Sequence, residues 1–540
     1  MRIPESDDEL LAQCEVETYR SRGPGGAERE HPEHRDSSSA PPIGPRRNQP
    51  TRTEPAPEQA ARGTRTPSPT RGAVSRTAGA YPHASAALRK STYTQSETEE
   101  KSAQDPPPQA ASRRVESSQI RYLHVMRQQD AFDVAVVGAG PAGLTAAYRA
   151  AKAGARTLLL DRNAQPGRKI ALSGGGRCNI LPQVVDSSVY VTDSSKNTLR
   201  KLLLSWPLAE VTAHLEENVG LSLRTPDPAG KLFPAEDGET VRRRLLSCAC
   251  TAGATLRTNA LVTQIDPGAP LSVRIRDDER VQAHRLILAT GGQSYPSTGS
   301  DGLGWKLAKQ LGHTVVAPYP ALVSLRGGPK PHHDLAGLSV EVELTVSDET
   351  DRVRTRGSLL FTHQGYSGPV ILNAAHRAAR AKQQHRSLAM TVSWGAQTED
   401  AWIGCLSGPG PFGIRRVIRD ILPDRLVVCL LDELGLTGAK YSELSKAKRR
   451  ALIDALTAYE ISWSDTDGFG QAEVTGGGIP LAEVVPKTLE SRVVPGLYFC
   501  GETLDAFGPI GGTNFLWAFV TGKVAGDGAA RHAESLSRRT

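Results

Sequence analysis

Residues 133–143, DVAVVGAGPAG, leave this chain few architectures to choose from. DVAVV is a continuous apolar run, the pattern of a strand buried on both faces. Gly138, Gly140 and Gly143 then fill G-x-G-x-x-G, with Pro141 and Ala142 between them. The first glycine permits a tight turn, the second lets backbone approach a pyrophosphate, and the third lets a helix pack on the strand. LTAAYRAAKA continues as an alanine-rich helix that Gly154 stops. RTLLLD is a second strand ending in Asp161, placed for a ribose hydroxyl pair, with Arg162 beside it. The helix start offers free N–H groups and partial positive charge to phosphates. Strand, glycines, helix and terminal acid agree, so the unit predicts dinucleotide binding.

Shortly after Asp161 comes KIALSGGGRCNI. Three consecutive glycines carry a conformational cost that a folded chain retains for a reason. A redox cysteine, a phosphate cradle and a plain turn compete to explain the run. Gly174, Gly175 and Gly176 let N–H groups come close to a ligand. Ser173 and Asn179 offer hydrogen bonds, and Lys169 or Arg177 can neutralise phosphate charge. Cys178 has no second cysteine at C-x-x-C spacing, which argues against a dithiol relay. The stretch reads as a cofactor cradle, with Cys178 packed beside it.

A second element, GLYFCGETLDAFGPIGGTNFLWAF, specifies which dinucleotide. Its strand ends in Gly501-Glu502, suited to a ribityl chain, with Asp505 just beyond. Gly511 and Gly512 open a last helix through Thr513 and Asn514, expected from about Asn514. Its positive end would face a flavin pyrimidine ring and stabilise the anionic reduced form. NAD binding needs no such element, so the expected cofactor is FAD. RLILATGG adds a buried strand ending in Thr290, Gly291 and Gly292, which read as flavin-contacting turns; Val262 completes the cofactor set.

The expected class is α/β: a Rossmann-like FAD-binding domain split by an inserted β-plus-helical domain, after a disordered N-terminal tail. Residues 1–128 are rich in Pro, Ser, Thr and Arg and cannot bury enough apolar area to offset chain entropy. Residues 129–325 form the first part of the FAD domain. Residues 326–465 alternate in LSVEVELTV and LAMTVSW and then turn helical, giving an insertion that is first β and then α. Residues 466–540 complete the FAD domain. Met126 opens MRQQDAFDVAVVGAG, which reads as the natural start of a compact enzyme, so the tail is an extension or an upstream start.

Net charge is +7, from 65 basic against 58 acidic residues, without a compact Lys/Arg cluster. A nucleic-acid footprint needs clustering, so a solvated surface is the reading and nucleic acid is not an expected partner. The tail, with 19 basic and 17 acidic residues, is no basic arm. No apolar run reaches membrane-spanning length, and MRIPESDDEL is no secretory signal. The seven cysteines (14, 178, 248, 250, 405, 429, 500) have no disulfide or zinc spacing. Reduced thiols in a cytoplasm and no metal are expected; oligomeric state is not legible.

The chain resembles the BaiN/YhiN-type flavoproteins, the aminoacetone-oxidase-like NAD(P)/FAD-dependent oxidoreductases. The resemblance rests on DVAVVGAGPAGLTAA, GRKIALSGGGRCNI, GKLFP, LILATGGQSYPSTGSDGLGWKLAKQLGH, LLFTHQGYSGPVIL, EVTGGGIPLAEVVPKTLESRVVPGLYFCGETLD and GPIGGTNFLWAF, in order from about 132 to 530. It implies an FAD-dependent oxidoreductase passing hydride between NAD(P)H, FAD and a small organic molecule such as an enone or amine. No second complete G-x-G-x-x-G is present, so nicotinamide binds transiently or not at all. An RNA-modifying flavoprotein and a flavin-binding protein without turnover are the alternatives. The catalytic group is not legible: His363, with Tyr366 in FTHQGYSGP, Tyr295 in GGQSYPSTG, and Cys178 are the candidates, and a structural role competes for each.

Overall fold

The computed structural model describes residues 131–224, 231–349, 351–407 and 413–537; the N-terminal tail lies outside them. Strand β1 (Phe132–Val137) leads into helix α1 (Pro141–Lys152), whose N1 proline starts it without a side-chain cap. Strand β2 (Thr157–Leu160) is buried at all four positions, as its apolar sequence requires in a sheet covered on both faces. It pairs in parallel with β1, Val136 opposite Leu159, and on its other edge with β3 (Thr255–Arg257). The antiparallel pair β4 (Val262–Asp266) and β5 (Leu271–Ile275) joins β6 (Arg280–Leu288), whose C-terminal half runs parallel to β1. The resulting order is β3-β2-β1-β6-β5-β4, a Rossmann-like α/β sheet.

The chain leaves this sheet through β7 (Val316–Ala321). A second, antiparallel sheet follows, built on β8 (Ser339–Ser347), β9 (Arg352–Thr362) and β10 (Gly365–Ser367). Helix α2 (Pro369–Gln383) comes next, then β11 (Ala389–Trp394), which pairs with β8. In β8 exposed and buried residues alternate, the period-2 pattern of a sheet with one face on a core. Four α-helices among the described residues follow from Glu399 to Thr457, and short strands Tyr459–Glu460 and Asp465–Thr466 then rejoin the sheet. Those two-residue strands lack any period, so "first β and then α" misses the return. Phe361, Trp394 and Trp402 anchor a hydrophobic cluster distinct from that around β1 and β2.

Strand β12 (Val474–Gly478) carries the chain back, antiparallel to β7. Strand β13 (Leu497–Phe499) adds to β6 in parallel, and helix α3 (Thr513–Ser537) closes the fold. Helix α3 lies close against α1: a methyl group on Gly526 would sit 2.5 Å from the Ala146 carbonyl oxygen. Arg149 fixes the pair with two hydrogen bonds to Asp527, at 2.7 and 3.1 Å. No helix among the described residues is long and apolar enough to cross a membrane. All six cysteines among them are free thiols.

Candidate active site

The loop from β1 to α1 is stitched to the end of β2. Gly138 N–H donates to the Leu160 carbonyl at 2.7 Å, and Ala139 N–H donates to Asp161 Oδ2 at 2.8 Å. Gly138 takes φ +101°, and a Cβ there would meet the Ala289 carbonyl oxygen at 2.5 Å. A Cβ on Gly143 would overlap the Gly138 carbonyl, so this glycine serves helix–strand approach. At Gly140 a Cβ meets nothing within 4 Å, because that face opens on a cavity of about 520 Å³. Asp161 also accepts from the Asn163 N–H at 2.9 Å. Burial holds its carboxyl above the usual range, and the Asn163 and Ala139 N–H groups oppose that rise.

The SGGG segment forms the next wall. Gly174 and Gly175 adopt φ +58° and +67°, and a Cβ on Gly175 would project into open space. Asn179 aims a buried Oδ1 that has no hydrogen-bond partner, and it lines the cavity. Thr290 Oγ1, after β6, is likewise buried, unpartnered and in the lining. Arg177 lies over the Phe233 ring, 5.7 Å from its centroid.

Across the cavity, Lys169 and Glu502 meet. Lys169 Nζ donates to Glu502 Oε2 at 2.9 Å and also to Ser294 Oγ. Ser294 Oγ and the Thr475 N–H donate to Glu502 Oε1 at 3.0 and 2.6 Å. Lys169 therefore has a carboxylate partner, as Arg162 has in Asp301, which leaves Arg168, Arg177 and Lys231 as the cavity cations free of a carboxylate among the bonds described. Glu473 and Lys231 line the same cavity with Tyr295. Solvent reaches Glu473 through the cavity while protein surrounds its other sides. Burial raises its carboxyl, and Lys169 and Lys231 pull against that rise. Burial and the Glu473 charge raise the Tyr295 phenol. The start of α3 supplies Gly511, Gly512, Asn514 and Phe515. Asn514 caps the turn before it, accepting from the Gly508 N–H at 2.9 Å. Leu322, Leu372 and Ile510 make an apolar patch there.

The HI0933-like protein Rossmann domain matches residues 132–528, which include every residue of the cavity wall. The chain belongs to the HI0933-like family. This HI0933-like chain is 30% identical over 408 residues to a 3-dehydro-bile acid delta(4,6)-reductase of Clostridium scindens, covering 74% of this chain and 98% of that protein. It is 30% identical over 400 residues to a ribosomal RNA dihydrouridine synthase of Escherichia coli, covering 72% and 95%. Among solved structures, 3-ketosteroid delta1-dehydrogenase from Sterolibacterium denitrificans aligns over 75% of this chain and 100% of that one, with TM-score 0.43 and 13% identity.

In the HI0933-like chain, most of the residues singled out by sequence share one wall: Gly138, Gly140, Pro141, Ala142, Asp161, Arg162, Lys169, Ser173, Gly174, Gly175, Arg177, Asn179, Val262, Thr290, Gly291, Gly501, Glu502, Gly511, Gly512 and Asn514. Gly143, Gly176, Gly292, Asp505 and Thr513 lie outside the lining. Gly292 packs on Thr475, and Asp505 turns away to accept from the Asp193 N–H at 2.9 Å. Thr513 Oγ1 is spent on the Pro509 carbonyl. His363 is exposed on the β9–β10 turn, and Tyr366 is buried in the second sheet; neither reaches the cavity. Cys178 is fully buried behind the wall, and burial pushes its thiol up to about 11. That is the wrong direction for a thiolate relay. Of the catalytic candidates, only Tyr295 lines the cavity. Glu473, Lys231 and Phe233 escaped the reading of the sequence. The available signal was a charged residue abutting a buried strand, as Glu473 abuts VTGGG and Lys231 opens KLFP.

Proposed function

We propose that this protein binds FAD and reduces a carbon–carbon double bond conjugated to a carbonyl. The observation that carries the reading is one cavity whose wall includes the G-x-G-x-x-G loop and Asp161 together with Gly511, Gly512 and Asn514 at the start of α3. The donor set fits the cofactor: helix-start N–H groups and an open glycine for the pyrophosphate, a terminal acid for ribose, and two orphaned buried acceptors, Asn179 Oδ1 and Thr290 Oγ1. Glu502, held by Lys169, Ser294 and Thr475, presents a fixed carboxylate to the ribityl chain. The positive start of α3 favours negative charge on the pyrimidine ring.

Bound FAD supplies reversible two-electron hydride chemistry, with NAD(P)H as the proposed donor. The chain's own residues do the rest. Leu322, Leu372 and Ile510 exclude water from an apolar substrate, and Lys231 or Tyr295 hydrogen-bonds its carbonyl oxygen. Glu473, whose carboxyl burial raises, is the group that passes a proton to the carbon beside that carbonyl. The class of substrate rests on the relatives: a delta(4,6)-reductase and a dihydrouridine synthase both bear the names of enzymes that saturate a double bond conjugated to a carbonyl.

The test is anaerobic rapid mixing of the yellow protein with NADH and NADPH, then addition of a 3-oxo-delta4,6 steroid. Flavin bleaching followed by substrate-dependent return of colour is expected; bleaching by neither nucleotide removes the NAD(P)H step, and released FMN in place of FAD removes the cofactor assignment. Gly140→Val should give colourless protein, since its side chain enters the phosphate space. A second reading, reduction of uridine in RNA, is favoured by the dihydrouridine synthase relatives and by exposed Arg168 and Arg177 in the cavity lining. RNA copurifying at 260 nm, with uridine in RNA but not the steroid restoring colour, would select it.

A further inference from the structure

A second group of chemically able side chains lies within the second sheet and its helices, and none of it lines the cavity. His332 sits on the short helix Lys330–His333, and Cys429 and Glu433 sit on the helix Asp424–Glu433. Four-residue spacing puts the thiol and the carboxylate on one helical face. One donor atom from each of the three residues lies within 4.8 Å of the other two. Cys429 Sγ is 3.7 Å from Glu433 Oε1, and His332 Nε2 is 3.4 Å from the same oxygen. Metal–ligand bonds of about 2.0–2.3 Å at a tetrahedral centre place neighbouring donors about 3.3–3.8 Å apart. Two of the cluster's three edges have those lengths, and the third, between His332 and Cys429, lies within 4.8 Å.

Its surroundings match as well. The other ring nitrogen, His332 Nδ1, is 2.8 Å from the buried Tyr366 hydroxyl, the outer-shell partner that fixes a ligating histidine's tautomer. Phe361 packs edge-on to the imidazole at 5.3 Å, giving an apolar backing. Asp334 and Asp432 add negative charge beside Cys429, a field that draws in a cation. His332 is 1% exposed while the Glu433 side chain is 26% exposed, so the site opens on its carboxylate side. Tyr459 occupies that side, its hydroxyl donating to Glu433 Oε2 at 3.0 Å and lying 3.3 Å from His332 Nε2.

We propose that His332, Cys429 and Glu433 form a zinc site, with water or the Tyr459 oxygen as fourth ligand, that ties the helix Asp424–Glu433 to the short helix Lys330–His333. Nitrogen, sulfur and oxygen donors on tetrahedral edges select Zn²⁺ over Mg²⁺ or Ca²⁺. The residue spacing in sequence hides such a site, because His332 lies far upstream of the Cys-x-x-x-Glu pair. The proposal stands apart from the flavin reading.

The full-length protein, expressed with zinc in the medium and gel-filtered, is analysed for metal, and metal-free protein is titrated with Co²⁺. About one zinc per chain and a thiolate-to-cobalt charge-transfer band are expected. Cys429→Ser and His332→Gln should each cut bound zinc at least tenfold while flavin content, read at the separate cavity, is kept. Yellow wild-type protein with less than about a tenth of an equivalent of zinc and no cobalt band overturns the site. So does zinc that persists in both variants. If either variant fails to fold, the cobalt titration of the wild type decides alone.

Discussion

Two buried side chains separate chemistry from packing at the residue scale. His376, on α2, is 9% exposed, packs edge-on against Phe507 at 5.4 Å and leaves Nδ1 without a partner. Burial, helped by the Arg377 charge, lowers it from 6.5 to about 4. An unfolded chain therefore takes up the proton below about pH 6.5, and the native state does so only below about 4. Stability falls as pH drops through that window, by an amount on the order of 3 kcal/mol when complete. His376→Leu should remove this slope: between pH 7.5 and about pH 4 the wild type's melting temperature should fall further than the variant's, and parallel curves would contradict the argument. Cys178→Ser tests the packing role of the other. With its thiol raised to about 11 by burial and a hydrogen bond to Ser173 available, serine keeps the size and the partner. NAD(P)H-dependent flavin reduction should stay within about tenfold of wild type, under about 1.4 kcal/mol in the barrier. A thousandfold loss with FAD still bound would restore the redox reading. Individually, Lys169 and Glu502 were legible in the sequence. Their ion pair was not, because it joins segments 333 positions apart that only the two-sheet fold brings together.

At the scale of elements, a close approach is required where α3 crosses α1. Gly526 faces Ala146 with no room for a methyl group, the nearest backbone oxygen being 2.5 Å from where it would lie and Arg149 Cβ 2.9 Å. Gly526→Ala should cost about 1–3 kcal/mol through forced separation of the helices. Because α1 carries the phosphate loop, flavin retention should weaken with it. Gly404 is the control, exposed in the helix Glu399–Leu406 with nothing within 4 Å of a Cβ. There the same change relieves backbone entropy and should stabilise by about 0.5–1 kcal/mol. Urea unfolding of the two variants should thus shift in opposite directions; a shared sign would show that glycine entropy, not helix approach, governs both. The first βαβ unit was legible because glycines, apolar runs and a terminal acid each constrain the same geometry. The helical part of the insertion is broken before Asp424, where Pro423 cannot continue the helix Ile414–Ile418 and instead begins the next. The strands Tyr459–Glu460 and Asp465–Thr466 had no periodicity to read, since two residues cannot display one.

For the whole molecule, the family match starts at Phe132, the residue that opens β1. Cohesion between the Rossmann-like sheet and the second sheet runs through β7 and β12, paired from Val316–Gly478 to Ala321–Val474. The cavity draws walls from both parts of the fold, Gly138 and Asp161 from the Rossmann-like side and Leu322, Leu372 and Glu473 from the side of the second sheet. Separated pieces should therefore lose the flavin, whereas removal of residues 1–125 should not, because their Pro-, Ser-, Thr- and Arg-rich sequence offers little apolar area to bury. A chain starting at Met126 is expected to melt within about 2 °C of the full-length protein, a difference under about 1 kcal/mol. It should also carry the same FAD per chain by absorbance. The comparison has a clear adverse result: a markedly lower melting temperature or a colourless protein would mean that the tail completes the fold or the cavity. Equal melting with slower turnover on RNA but not on a steroid would instead assign the tail to substrate capture and favour the RNA reading.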